Sequence, residues 1–273
     1  MLLRSVATFA FSLLCSSAFA ESLKIGIMQA QKGEAAKYAP MQAWLAKKGI
    51  DVSIVGFANY SDAAKQVAEG KVDATVAGSG LAGVFLVKGI AIPLARAKGK
   101  DGNSTYWATV VAPKGTTQFA GAKSFEGKKV ACSGLASSGE FFVRSLGKKD
   151  AVVVASHEAA LDMVERGLVD FAVVKNRVWD KKKGSYSKME EVGKDSGMNP
   201  DNTFMISAKI AKPFQDKVKA ALLGIGSEST SEATALKESL GVTEFIPTEK
   251  KDFVHTLELL RKAGVDAKFD FKF

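Results

Sequence analysis

The chain has 273 residues, 47% of them hydrophobic and 25% charged, which excludes a disordered chain, a collagen and a multi-span membrane protein. Its length suffices for one large domain or two lobes, and two Cys with two His are too few for a zinc cluster or a disulfide scaffold. The formal net charge of +9 comes from lysines spread along the chain, and the run Lys181-Lys182-Lys183 has no interleaved aromatics. That run reads as a solvated loop or helix end, so no nucleic-acid partner is expected; the charge is better suited to a mild attraction for small anions.

Residues 1–20 read as an address. Arg4 is their only charge, an apolar run over 6–15 follows it, and Ala18-Phe19-Ala20 supplies a small-x-small cleavage site. Leu14 stands before Cys15 where a lipid anchor would need a small residue. No later segment reaches the about 18 uninterrupted apolar residues of a spanning helix. The expectation is an exported, periplasmic chain that starts at Glu21. Of the two cysteines only Cys132 lies beyond that point, so no internal disulfide can form.

Strands and helices then alternate. Residues 23–28 read as a strand, followed by a helical stretch with Ala35, Tyr38, Met41 and Leu45 at three- and four-residue steps. Pro40 inside that stretch requires a kink or a helix start there. A strand over 51–57 is followed by a helix to Glu69 that Ser61 would cap, then a strand over 72–77, a helix over 81–88 and a strand over 90–95. This spacing predicts crossovers and a mainly parallel sheet.

The pattern repeats in kind. Residues 106–112 are β-rich, 129–132 a strand, 138–146 a helix, 151–155 a strand, 157–166 a helix and 170–174 a strand. Residues 184–202 are polar and read as a connection back to a β-like segment over 204–207. Helical stretches over 213–223, 231–240 and 250–263 finish the chain. The organisation predicted is α/β, with a first lobe over 21–108, a second over 109–202, and a return to the first over 203–273. Such a bilobal molecule would bind its ligand in the cleft at the strand carboxyl ends.

Four loops should face that cleft: 29–33, 59–61, 78–83 and 133–139. Gly78-Ser79-Gly80-Leu81-Ala82-Gly83 fits a dinucleotide fingerprint, but it follows the third strand and no acidic strand end lies about twenty residues on. The glycines are instead read as serving a tight strand-to-helix turn, and no cofactor is expected; Ser79 still offers a hydroxyl and backbone N–H groups. Ser133-Gly134-Leu135-Ala136-Ser137-Ser138-Gly139 leads into a helix, so its amides and hydroxyls suit an anion. Ser137 and Glu140 also have the spacing of a capping box, and both readings stay open.

His157 stands in the first turn of the next helix, where the dipole favours a neutral imidazole. Position alone favours an incidental role over a ligand contact, and His255 in the last helix reads as structural. No nucleophile–base set or metal spacing stands out. Cys132 reads as a buried strand residue. Tyr60, Tyr106 and Trp107 stand at strand ends or the lobe crossover, where a flat ring can cover a ligand; Trp179 and Phe141-Phe142 could do so too, with core as the default for such residues.

The order Tyr38-Ala39-Pro40-Met41, Asn59-Tyr60-Ser61-Asp62-Ala63, Gly70-Lys71-Val72-Asp73-Ala74, Glu126-Gly127-Lys128-Lys129-Val130-Ala131, Ala136-Ser137-Ser138-Gly139 and Ser156-His157-Glu158-Ala159 resembles the phosphonate-binding periplasmic proteins of ABC importers. The resemblance implies the type 2 periplasmic-binding fold: two α/β lobes joined by two crossover segments that close on the ligand. It also implies an oxyanion held by the Ser-Ser-Gly helix start, with roles for Tyr60 and His157. Family members that prefer aminoalkyl ligands use carboxylates for the ammonium group, and no such carboxylate stands out here. Lys175-Asn176-Arg177 at a strand end would instead favour extra negative charge.

The function expected is therefore a binding protein, not an enzyme, that delivers a small oxyanion to the permease of an ABC importer and acts as a monomer. A sensory subunit signalling to a membrane histidine kinase is the alternative. The expected ligand-binding residues are Tyr60, Ser79, Trp107, Ser137, Ser138, Gly139, His157 and Asn176, with no metal.

Overall fold

The computed structural model describes residues 22–28, 33–57, 60–134 and 138–272. Residues 1–20, read above as a signal peptide, lie outside them. In chain order the first elements are β1 (Ser22–Met28), α1 (Ala39–Lys47), β2 (Asp51–Phe57), α2 (Tyr60–Ala68), β3 (Ala74–Ala77), α3 (Ser79–Lys88) and β4 (Ala91–Gly99). Leu23, Ile25 and Ile27 alternate inward along β1 and are buried, the period a half-covered strand requires. Pro40 resolves as a helix start: a 3-10 turn over Glu34–Tyr38 precedes it and the proline falls in the first turn of α1. Ser61 is not a cap. It lies inside the first turn of α2 and donates to the Phe271 carbonyl at 2.7 Å.

Next come β5 (Thr105–Tyr106), β6 (Ala108–Pro113), β7 (Val130–Ser133), α4 (Ser138–Ser145), β8 (Val152–Val154), α5 (His157–Glu165), β9 (Phe171–Lys175), α6 (Asn176–Lys182) and β10 (Met189–Lys194). The chain ends with β11 (Asn199–Pro200), β12 (Thr203–Ser207), α7 (Lys212–Gly224), α8 (Ser231–Leu240), β13 (Val242–Pro247) and α9 (Val254–Lys262).

Two mixed sheets result. One runs β13-β4-β12-β3-β1-β2 and the other β10-β6-β9-β7-β8. The expectation of mainly parallel sheets needs correction. β1 is parallel to β2 and β3, and β7 to β8 and β9, but β12 is antiparallel to β3 and β4, and β6 is antiparallel to β9 and β10. β12 and β6 are the strands that arrive from the other sheet, and each enters from the opposite end; the edge strand β13 is also antiparallel, to β4. The two passages meet as a two-stranded antiparallel ribbon of β5 and β11, with Tyr106 opposite Asn199.

α7 packs on β4 and β13, and α8 on α1. α9 does something different: it packs on α3 and on α4 at once. One apolar core consequently runs from Leu81 and Phe85 of α3, through Leu259 and Leu260 of α9, to Phe141 and Phe142 of α4. Residues from both sheets share it.

Candidate functional site

In chain order α3, α4, α5 and α6 follow β3, β7, β8 and β9; the first residues of α3 and α6 meet Tyr106 and Trp107, and the first residue of α5 meets the end of β9. Ser79 opens α3 after Gly78, whose extended backbone (φ −66°, ψ 162°) turns the chain. Ser79 is fully buried, and its Oγ lies 2.6 Å from the Tyr106 hydroxyl. The Tyr106 ring in turn carries the Lys175 ammonium at 4.4 Å from its centroid. Lys175, the last residue of β9, pairs with the buried Asp201 carboxylate, and Arg177 NH1 takes the other carboxylate oxygen at 2.9 Å. The two cations expected to favour a more negative ligand are thus already shared with one internal acid.

His157 begins α5. Ser156 caps that helix by accepting from the Ala159 amide at 3.1 Å. His157 Nδ1 accepts the Lys175 backbone N–H at 3.3 Å and lies 3.1 Å from Ser133 Oγ. An Nδ1 that accepts leaves the ring proton on Nε2. Burial first, and the Lys175 charge second, push the imidazole down to about 4. Around neutral pH the ring is therefore an uncharged donor through Nε2. The sequence anticipated its neutrality from the helix dipole; desolvation and a neighbouring cation supply it here.

Trp107 and Asn176 hold each other. The Trp107 amide donates to Asn176 Oδ1 at 3.2 Å, and the Asn176 amide donates to the Trp107 carbonyl at 3.1 Å. Asn176 is buried, with its carboxamide oxygen engaged in fixing Trp107. The indole N–H of Trp107 is buried and meets no acceptor, and Lys194 lies 5.3 Å over the ring. Tyr106 and Trp107 thus divide the work: the phenol points at Ser79, and the indole retains an unused donor.

Gly139, in the first turn of α4, is buried. Ser137 and the side chain of Ser138 lie outside the described residues, and the capping-box partner with them. Glu140 is buried and receives Arg144 Nε and NH2, both at 2.9 Å, one turn along the helix. Its negative charge at the helix start is offset by that guanidinium. Tyr60, the first residue of α2, is half-buried and packs against the apolar core shared with α3 and α9. The structure therefore brings Ser79, Trp107, His157 and Asn176 together around the ribbon, with Ser133, Tyr106, Lys175 and Asp201 added. Asp201 sits in a polar stretch with no periodicity, and only its partners reveal it.

Cys132 is buried and free, its thiol pushed up to about 12, first by burial and then by the Glu140 charge. Among the described residues no group of three or more His, Cys, Asp and Glu gathers to hold a metal, and no helix is long and apolar enough to cross a membrane. A cavity of about 480 Å³ opens at the amino ends of β7 and β9, between Lys128, Leu168 and Asp170, at the opposite end of the sheet from these loops.

Residues 25–253 match the family model described as ABC transporter, phosphonate, periplasmic substrate-binding protein. The chain belongs to that family. No curated protein sequence matches it. Among solved structures, XAC2383 from Xanthomonas citri bound to ATP superposes with a TM-score of 0.75 at 16% identity, covering 89% of this chain and 97% of that one. PhnD1 from Prochlorococcus marinus in complex with methylphosphonate gives 0.71 at 18% identity, with 90% and 99% covered. A binding protein component of an ABC phosphonate transporter from Pseudomonas aeruginosa gives 0.67 at 14%, with 89% and 87% covered. These likenesses show the fold, which is the periplasmic-binding fold the sequence implied. Family membership makes the protein a periplasmic substrate-binding component of an ABC importer rather than an enzyme.

Proposed function

We propose that the protein captures a small phosphorus oxyanion of the phosphonate type in the cleft beside the β5–β11 ribbon and presents it to the permease of its importer. The carrying observation is a polarity imbalance. The His157 Nε2–H, the unmatched Trp107 indole N–H and the amide end of α4 are donors, while the nearby carboxylates, Asp201 and Glu140, are each held by internal cations. Donors with their local acids neutralised suit an anion. Ser137, Ser138 and Gly139 at the start of α4 would take the head group, His157 and Tyr60 would donate to it, and Trp107 would cover it. Ser79 and Asn176 act mainly by fixing Tyr106 and Trp107.

The test is thermal unfolding against phosphonates, phosphite, phosphate, sulfonates, carboxylates and amines, each at about 1 mM. A ligand with a Kd of about 1 μM adds roughly 4 kcal/mol by mass action. For a chain of this size that raises Tm by about 8–16 °C. A shift confined to phosphorus oxyanions is expected. A flat response to them, with a shift for an uncharged or cationic compound, would discard the ligand and keep the family.

A further inference from the structure

Two groups, an aromatic face and a carboxylate, flank the Lys175 ammonium. The face of Tyr106 lies 4.4 Å below it, one Asp201 oxygen accepts from it, and the other Asp201 oxygen is held in place by Arg177 at 2.9 Å. Tyr106 and Asp201 are both buried, and the Lys175 side chain is only 17% exposed. An aromatic face with a carboxylate is the pairing that recognises an organic ammonium ion. The cage adjoins the proposed anion site on two sides: the Lys175 amide donates to His157, and the Tyr106 hydroxyl meets Ser79. A buried aspartate normally calls for one cation; here a lysine and an arginine share it, and Arg177 reaches it from beyond the cage.

We propose that Lys175 is the specificity-determining residue of this cleft: its ammonium permanently occupies a Tyr106–Asp201 cage, so that ligands bearing their own ammonium group are excluded and simple anions are accepted. This rests on the phosphonate reading for the anion, but the cage itself does not. A ligand carrying both charges would have to displace a tethered cation that pays no association entropy, and its ammonium would face Lys175 as a like charge. A ligand with an anionic head and an uncharged tail meets neither obstacle.

The decisive comparison uses methylphosphonate and 2-aminoethylphosphonate as probes on wild type, Lys175→Ala and Lys175→Met. Wild type should prefer methylphosphonate by about tenfold or more, and Lys175→Ala should reverse that preference, a swing read directly from the two Kd values by titration calorimetry. Lys175→Met fills the space with an uncharged stem and should keep methylphosphonate while still disfavouring the amino compound. Arg177 stays on Asp201 in both variants, which keeps the acid paired. A second measurement needs no phosphonate: ethylammonium chloride at tens of millimolar should raise the Tm of Lys175→Ala above a sodium chloride control and leave wild type unmoved. Equal Kd ratios in wild type and Lys175→Ala, wild type binding the amino compound as tightly as methylphosphonate, or no ethylammonium effect in Lys175→Ala would overturn the proposal. Ethylammonium stabilisation of the variant, with neither phosphonate bound by any form, would uphold the cage and sink the phosphonate reading.

Discussion

His157 carries a pH consequence that can be worked out from its surroundings. Its folded-state pKa of about 4 lies below the 6.5 of a free imidazole. More than about one unit above pH 6.5 the ring is essentially neutral in both states and contributes little pH dependence. As pH falls from there, the unfolded chain takes up the proton first, so stability is lost with falling pH until the folded ring also protonates. The loss from this one residue is at most roughly 3–4 kcal/mol. Urea unfolding at pH 7 and pH 4.5 on wild type and His157→Gln isolates it from the carboxylates that titrate nearby: the variant should show the smaller drop. Equal drops would mean that His157 is not held neutral by burial. The sequence pointed to this residue because it follows a strand and opens a helix. Its hydrogen-bond partner, the Lys175 amide, is 18 positions away and becomes a neighbour only through the β9 crossover. Lys175 itself was visible as charge but not as one half of a buried pair, since Asp201 lies in a segment whose polar composition gave no reason to single it out.

Elements show the same division between what local pattern encodes and what only packing decides. Strands covered on both faces, such as β6 with Val110, Val111 and Ala112 all buried, announce themselves as apolar runs. β10 and β13 stand at sheet edges, and β11 is a two-residue pairing; Glu190, Glu191 and Lys194 make β10 read as a loop, because an edge strand tolerates the composition of one. α6 escaped because it follows β9 without a loop and Lys175 at its start makes no side-chain cap. α3 was legible as a helix, but the role of its glycines was not. Gly83 serves no turn. A Cβ there would lie 2.5 Å from Leu260 Cδ1 and 2.8 Å from Thr256 Cγ2, so the glycine is what lets α9 pack closely on α3. Both neighbours are buried, at 0% and 1% exposure, and have little room to withdraw. Gly83→Ala should therefore cost about 1–3 kcal/mol by overpacking, outweighing the about 1 kcal/mol that alanine gains in helix propensity. Urea denaturation measures the difference, and Gly83→Ala with Leu260→Val should recover part of it. A Gly83→Ala protein as stable as wild type would show that α9 shifts away at no cost.

At the scale of the whole molecule, the last helix ties the returning passage to both sheets. Its first turn reaches back to β11 and the segment before it: His255 Nε2 meets the buried Asp195 carboxylate at 2.7 Å, and the Thr256 hydroxyl donates to Asn199 Oδ1 at 2.7 Å. Asp195 is anchored from the other side, its amide donating to the Ala108 carbonyl at 2.8 Å where β6 begins. The ribbon and the cage around Asp201 hang from this same segment, so its position decides where Tyr106 and Lys175 stand. Gly197 is the point where it is most easily broken. A Cβ at Gly197 would fall 2.2 Å from His255 Nδ1 and 2.4 Å from Cγ, inside the ring's own volume. Gly197→Ala must therefore expel the imidazole, and Asp195 loses the partner that compensates its burial. Overpacking and a buried acid left with only the backbone N–H of residue 197 on its other oxygen together put the cost at roughly 2–4 kcal/mol. His255→Ala alone removes the partner without the clash and should cost about 1–3 kcal/mol. The two effects share one cause, so they cannot add: on the His255→Ala background there is no ring to collide with, and Gly197→Ala should become nearly neutral. A double-mutant cycle by urea unfolding reads this directly. A Gly197→Ala penalty of the same size with and without the imidazole would mean that the segment yields rather than the ring, and that α9 does not set the position of the returning passage.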